Sequence, residues 1–274
     1  MKNSERSLVD SLRRYAKLKG LAVEFLSRDW IAVMTGPSVR HLVFGYDLGL
    51  NAATAAKIAN DKSATYAVLA AAGLAAIEHR VFLHPRFLDF LPDDGNWPSL
   101  LEAFEAYRRD AVIKDNEGTG GTEVFRVRSN TELEQRAHQL FQLARGLALS
   151  PFVEIADEMR FVMLEGECVL AYRKQRRSPE WRHNLGLGAR AVPVAADEPV
   201  HLPALALARA AMAALTLRFA SIDIAMVAGT PKVLEANAGV MLEVAGRTGF
   251  GGPDLVDRIY HRALDLVFIE PGSS

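Results

Sequence analysis

Helical and strand periodicities alternate along the chain. Ser7 to Lys19 sets Leu8, Leu12, Tyr15 and Leu18 at helical spacing, and Gly20 ends the run. Leu21–Leu26, Trp30–Met34 and His41–Phe44 read as strands, the last two joined by the turn formers Thr35-Gly36-Pro37-Ser38. Residues 51–72 are alanine-rich and helical, restarted at Asp61 or Ser63 and closed by Gly73. Residues 111–128 read as strand, glycine loop, strand: an apolar run ends at Lys114, glycines fill 115–122, and 123–128 alternate. Thr131–Gly146 is an amphipathic helix with Leu133, Ala137, Leu140, Phe141 and Ala144 inward. Pro151–Leu164 holds two strands about a polar break, and Val169–Gln175 is a further strand. Leu202–Phe219 is a long apolar helix, and Pro253–Phe268 closes the chain as a helix with proline at its start.

The most telling pattern is SIDIAMVAGTPKVLEAN, two alternating runs about Ala228-Gly229-Thr230-Pro231, which predicts a β-hairpin ending at Asn237. Side chains at i and i+2 share a strand face. Pairing Asp223 with Asn237 would set Ala225 against Glu235 and Val227 against Val233, leaving 228–232 as the loop. That register gathers Asp223, Glu235 and Asn237 on one face, with Ile222, Ile224, Met226, Leu234 and Ala236 on the other. A slip by one residue would separate them. Two carboxylates and an amide oxygen suit Mg²⁺ or Mn²⁺, completed by water and phosphate oxygens, although an ordinary polar hairpin face has the same composition.

The glycine loop after Lys114 is not a P-loop, since no helix follows it. Its backbone N–H groups suit phosphate oxygens, with Lys114 as a point charge; a plain flexible hairpin reads the same way. Glu158 and Arg160 share a strand face, where the bland reading is an exposed ion pair. Arg173, Lys174, Arg176, Arg177 and Arg182 make a basic stretch that suits an anion or a solvated loop.

Composition narrows the classes. The chain has 274 residues, half of them hydrophobic, enough for a sizeable core in one large or two packed domains. Its net charge of −1 gives no reason to expect nucleic acid or an anionic membrane as partner. Cys168, the one cysteine, excludes an intrachain disulfide and reads as a buried thiol in a strand. The N-terminal stretch lacks an apolar signal core and no run has the length of a membrane span, so a cytoplasmic protein is expected.

Taken in order, these segments resemble an ATP-grasp protein of the branch containing cyanophycin synthetase, the glutathione-forming synthetases and the ribosomal-protein glutamate ligase. NAATAAKIANDKSATYAVLAAAGL resembles the entry segment, VIKDNEGTGGTEVFRV the phosphate loop, FVEIADEMRFVMLEGECV the adenine hinge and its Glu-x-Arg strand, AYRKQ and RHNLGLG the basic strand and loop, IDIAMVAGTPKVLEAN the metal hairpin, and TGFGGPDLVDRI the last glycine loop. The match runs over roughly residues 50–268.

The resemblance implies an α/β (α+β) chain with the ATP-grasp fold, two α+β lobes gripping ATP. A short α/β cap would span 1–50 and the ATP-grasp domain 51–274, with a nucleotide lid at about 111–155 and a metal-bearing lobe at about 156–274. It implies ATP and Mg²⁺ (or Mn²⁺) as cofactors. Lys62 and Lys114 would bind the ATP phosphates, with Gly118, Thr119, Gly120 and Gly121 covering them. Glu154 and Ile155 would lie at the adenine, Asp157 at the ribose, and Asp223, Glu235 and Asn237 on the metal. Arg160, Arg173 and Asn184 would flank the transferred phosphoryl and the acyl oxygen. The implied activity is a carboxylate–amine ligase acting on small-molecule or peptide substrates through an acylphosphate, with a homodimer the expected assembly. An ATP-grasp kinase and a non-catalytic ATP-binding module remain the alternatives.

Overall fold

The computed structural model describes residues 6–90, 97–118, 120, 123–247 and 250–268. Helix α1 (Ser7–Lys19) precedes strands β1 (Ala22–Leu26), β2 (Ile31–Thr35) and β3 (Arg40–Phe44), which form an antiparallel sheet in the order β1-β2-β3. Gly20 ends α1 in the left-handed conformation, φ 65°, as its position in the sequence predicts. Helices α2 (Ala53–Asn60) and α3 (Lys62–Ala71) follow. They are separated at Asp61, whose carboxylate caps α3 by accepting from the Ala64 backbone N–H.

A four-stranded antiparallel sheet has the order β4-β7-β5-β6, with β4 Arg80–Leu83, β5 Ala111–Asp115, β6 Val124–Val127 and β7 Gly146–Pro151. Helices α4 (Trp97–Ala106) and α5 (Asn130–Phe141) pack on it through Leu100, Phe104, Leu133 and Leu140. This layer therefore draws on β4 and α4, upstream of the glycine loop.

The third sheet has the order β10-β9-β8-β11-β12, from β8 (Ile155–Leu164), β9 (Glu167–Gln175), β10 (Arg190–Pro193), β11 (Phe219–Val227) and β12 (Thr230–Asn237). One face, with Met159, Phe161, Ile222, Ile224 and Ala236, is buried against α2, α3 and α6 (Leu202–Ala214). The other face divides. Its end at Val162, Leu164 and Phe219 is covered by α1, the three-stranded sheet and α8 (Gly252–Phe268). Its other end carries Glu158, Arg160, Lys174 and Asp223.

Two features lock these layers together. Residues 75–77 run along β12, with Ile77 N–H donating to Val233 O and Val233 N–H to Ala75 O, both at 2.9 Å. The cap reaches the chain beyond β12: Tyr46 Oη donates to Glu243 Oε1 at 2.7 Å, at the start of the short α7 (Glu243–Arg247).

The β11–β12 hairpin differs from the predicted register. Ser221, not Asp223, faces Asn237, and Asp223 faces Glu235. The turn is the two residues Ala228-Gly229, both at positive φ (47° and 78°), the backbone of a tight type I′ turn. From that turn alone, continuous pairing would bring Glu235 onto the face of Ile222. A bulge between Asp223 and Ile224 leaves Leu234 unpaired and shifts the register by one residue. The shift restores Glu235 and Asn237 to the face of Asp223, so these three group as predicted through a different register, while Val233, expected on their face, packs in the core with Ile222 and Ile224.

Ala228 is strained at φ 47°, where asparagine is better tolerated. Ala228→Asn should stabilise the protein by about 0.5–1 kcal/mol, read as a raised midpoint in thermal denaturation.

Candidate functional site

The charged end of the five-stranded sheet is built by strand alternation. Asp223 on β11 lies opposite Arg160 on β8 and Glu235 on β12. Arg160 grips Asp223 bidentately, Nε to Oδ1 and Nη2 to Oδ2, each at 2.6 Å. Lys174 Nζ donates to Asp223 Oδ2 at 2.7 Å and to Glu158 Oε1 at 2.6 Å. Asp223, Glu158 and Lys174 are all buried. The expected exposed pair of Glu158 with Arg160 is thus replaced by a buried network in which each takes a different partner. Burial alone would raise the Asp223 carboxyl, but Arg160 and Lys174 outweigh it and hold the group well below the usual carboxylate range. Burial pushes Glu158 upward despite the Lys174 contact.

Glu235 and Asn237 complete this face. No hydrogen bond reaches the Glu235 carboxylate among the described residues, and Asn237 Nδ2 is buried without a partner. Among the described residues no three His, Cys, Asp or Glu side chains already converge as a metal cage. The donors are two carboxylates and one amide, and both oxygens of Asp223 hold cations.

The four-stranded sheet supplies the opposing charge. Lys114 on β5 is buried, and burial together with nearby Lys62 lowers its pKa to about 8, while Glu235 and Glu158 work the other way. Lys114 thus feels the field of two carboxylates of the charged face. Lys62, also buried, donates to Gly118 O at 2.6 Å. Asn116 latches the glycine loop to α3: its Oδ1 accepts from Ser63 N–H at 3.1 Å and its carbonyl from Lys62 N–H at 3.1 Å. Gly118 is fixed by close approach, since a Cβ there would lie 2.8 Å from Asp115 Cβ. Gly120 has φ 77°; Thr119 and Gly121 lie outside the described residues.

The remaining sequence candidates are dispersed. Arg173 lies on the other strand face from Lys174 and pairs with Asp157 at 2.8 Å, so it is Lys174 that reaches Asp223. Both Arg173 and Asp157 line a cavity of about 340 Å³ with Lys174, Arg176 and His183. Glu154 is exposed, 3.7 Å from Arg176. The Ile155 carbonyl faces His183 Nε2 at 3.3 Å, while His183 Nδ1 meets Lys174 O at 2.8 Å. Asn184 caps a short 3-10 turn at Leu185–Leu187 by accepting from Gly186 N–H at 2.7 Å. That turn lies against the glycine loop, because a Cβ at Gly186 would sit 3.6 Å from Gly120 O. Arg182 ties the same loop to β6 by donating to Val124 O at 3.1 Å.

Sequence reasoning named Lys174 only within a basic stretch and Glu158 only as an exposed ion pair, and it passed over His79. The signal for Lys174 is its parity with Glu158 and Asp223 once the ladder is known. His79 is buried and follows the strap to β12; its Nδ1 donates to Ile77 O at 2.9 Å and its Nε2 has no partner. Burial, reinforced by Lys114 and then Lys62, holds the ring well below its ordinary pKa, so it is neutral beside two ammonium groups.

Lys114 gives a signed prediction. Its folded pKa of about 8 lies below the unfolded value of 10.5, so the unfolded chain binds more protons between them and stability rises with pH through that window. At neutral pH, nucleotide-free Lys114→Met should therefore be more stable than wild type by on the order of 2 kcal/mol. The gap should close as pH approaches 10, measured by denaturant titration at several pH values.

A family model described as the RimK-like ATP-grasp domain matches residues 59–251. Among solved structures, the chain is similar to the D-alanine–D-alanine ligase of Bacillus anthracis complexed with ATP (TM-score 0.59, 16% identity, covering 79% of this chain and 69% of that one). It is also similar to D-cycloserine synthetase (TM-score 0.57, 22% identity, 76% and 71%). A bifunctional glutathione synthetase from Pasteurella multocida shares the fold over 92% of this chain and 44% of its own (TM-score 0.53, 13% identity). No curated protein matches in sequence. The mixed α+β architecture with three antiparallel sheets is that of these neighbours. With its family model spanning most of the chain, this protein belongs to the RimK-like ATP-grasp family.

Proposed function

We propose that the protein is an ATP-dependent carboxylate–amine ligase, forming an amide or peptide bond between small-molecule or peptide substrates and releasing ADP and phosphate. The observation that carries this reading is the pairing of two unlike faces. Lys62 and Lys114 are buried cations on the lid side, and Asp223, Glu235 and Asn237 share one sheet face toward them. A polyphosphate between the faces would satisfy the lysines, and Asp223, Glu235 and Asn237 would hold its divalent cation.

The donor chemistry fits such a cation. Two carboxylates with an amide oxygen suit Mg²⁺ or Mn²⁺, and no hydrogen bond reaches the side-chain oxygens of Glu235 or Asn237 among the described residues. When bound, the cation would supply Lewis-acid stabilisation of the phosphoryl oxygens. In the first step a substrate carboxylate oxygen attacks the γ-phosphorus and ADP leaves, giving an acylphosphate. In the second an amine attacks the acyl carbon, phosphate leaves and the amine loses a proton. The first step brings two anions together, so the protein's part is electrostatic. Lys62 and Lys114 hold the phosphates, and Arg160 and Lys174 stand beside the reacting region. The glycine loop, latched by Asn116 and met by the Asn184 turn, would shield the acylphosphate from water.

The test is a phosphate-release screen of amino acids and short peptides, in pairs, with Mg-ATP. A ligase gives free phosphate and a condensed product by mass spectrometry; a phosphorylated product would make it a kinase, and no substrate-dependent ADP a binding module. Glu235→Gln should lower ADP release roughly a hundredfold or more with an unchanged melting transition. Normal turnover by that variant would refute the metal assignment.

A further inference from the structure

Two demands fall on Asp223. The proposed function asks it to hold a divalent cation, yet Arg160 occupies both of its oxygens at 2.6 Å and Lys174 adds a second cation to Oδ2 at 2.7 Å. Asp223 is 2% exposed and Lys174 6%, so solvent does little to screen these contacts. We propose that Arg160 and Lys174 gate the metal site, so that a divalent cation enters with the nucleotide and not before it. The inference rests on the ligand assignment above and adds the order of binding.

The charge balance carries the argument. Glu158, Asp223 and Glu235 share the sheet face with Arg160 and Lys174, and Lys114, with Lys62 near it, interacts with Glu235 and Glu158: three carboxylates against four cations, a formal charge of +1. A divalent cation arriving alone would raise this to about +3 in a buried setting, beside a guanidinium already seated on its ligand, where repulsion is poorly screened. A nucleotide bringing about four negative charges with the cation reverses the balance, to about −1. Its phosphate oxygens also offer Arg160 and Lys174 new acceptors as they yield an oxygen of Asp223 to the metal. Glu158 keeps Lys174 in place during the exchange, because that contact does not involve Asp223. Glu235 and Asn237 need no such release, since no hydrogen bond reaches the side-chain oxygens of either among the described residues. Asp223 is therefore the step at which metal entry is controlled.

The gate is tested by binding of Mn²⁺ alone, followed by electron paramagnetic resonance on the full chain. Nucleotide-free wild type should leave the free Mn²⁺ signal unchanged at concentrations where, with AMP-PNP present, the protein lowers it beyond the loss that AMP-PNP alone causes. Arg160→Gln should bind Mn²⁺ without nucleotide at least tenfold more tightly than wild type, and adding Asp223→Asn to that variant should abolish the gain. If Arg160→Gln does not fold, Arg160→Lys, which cannot hold both oxygens of Asp223 at once, should still bind Mn²⁺ without nucleotide more tightly than wild type, by at least threefold. The gate is overturned if wild type binds Mn²⁺ equally well with and without AMP-PNP. It is also overturned if a folded variant gains no affinity while AMP-PNP still recruits Mn²⁺ to wild type. Failure of AMP-PNP itself to recruit Mn²⁺ overturns the ligand assignment beneath the gate, and the gate with it.

Discussion

The carboxylate of Asp223, held by one guanidinium and one ammonium, is the contact around which the five-stranded sheet is arranged. It joins β8, β9 and β11 through side chains at the point where the sheet leaves the cover of the cap. Burying such groups is costly, and a well-packed apolar set of similar volume would often be as stable or more so. The network survives because each member is paired: Arg160 uses two donors on Asp223, and Lys174 spans Asp223 and Glu158. Neighbouring positions of the same strands, Val162, Leu164 and Phe219, show the apolar alternative, and they lie where the cap closes over the sheet. The change from apolar to charged along one face marks the edge of the cleft.

The cap and the strap give this cleft its walls. Tyr46 fixes the start of α7 through Glu243, and its side chain packs at 3.5 Å from the Cβ position of Gly239, two residues beyond Asn237. Asn51 binds the backbone at both Arg218 and Phe219, securing the beginning of β11. On the opposite side, Ala75–Ile77 hydrogen bonds to Val233, immediately before the bulge at Leu234. An isolated hairpin with a two-residue turn would have little reason to hold that bulge; here the strap pairs with the free edge of β12 at the residue before it.

Much of this was legible in the sequence where periodicity is strong. The helices at Ser7–Lys19 and after Asp61, the strand–glycine loop–strand unit and the hairpin follow from spacing and turn residues. The grouping of Asp223, Glu235 and Asn237 was legible because parity survives a bulge combined with a tighter turn, although the pairing itself did not follow. What alternation could not supply was which cation of Arg173 and Lys174 faces the site. Adjacent residues point to opposite faces, and the choice depends on the register of β9 against β8, set by a shift between Val162 and Met163. In the 74–110 stretch, Leu100, Ala103, Phe104 and Tyr107 carry the helical spacing of α4, while β4 is four residues long and its place in the sheet is set by β7. His79 left no sequence signature, since its burial follows from the crossover between two sheets.

The two sides of the cleft differ in how their charges are settled. On the sheet side, Asp223, Glu158, Arg160 and Lys174 balance one another in short contacts. On the lid side, Lys62 and Lys114 lie near each other, and Lys62 is satisfied by backbone carbonyls that offset none of its formal charge. Burial first, and Lys62 after it, depresses the pKa of Lys114, and a neutral His79 keeps a third positive charge from joining the two lysines. Repulsion held in the resting protein is released when an anion arrives, so part of the binding energy for a polyphosphate is built in before any contact forms. The balanced side gains nothing from an anion alone; on the proposed function it would respond when the anion brings a cation that can take the place of a guanidinium on Asp223. The asymmetry between the faces would then favour the metal–nucleotide complex over either component.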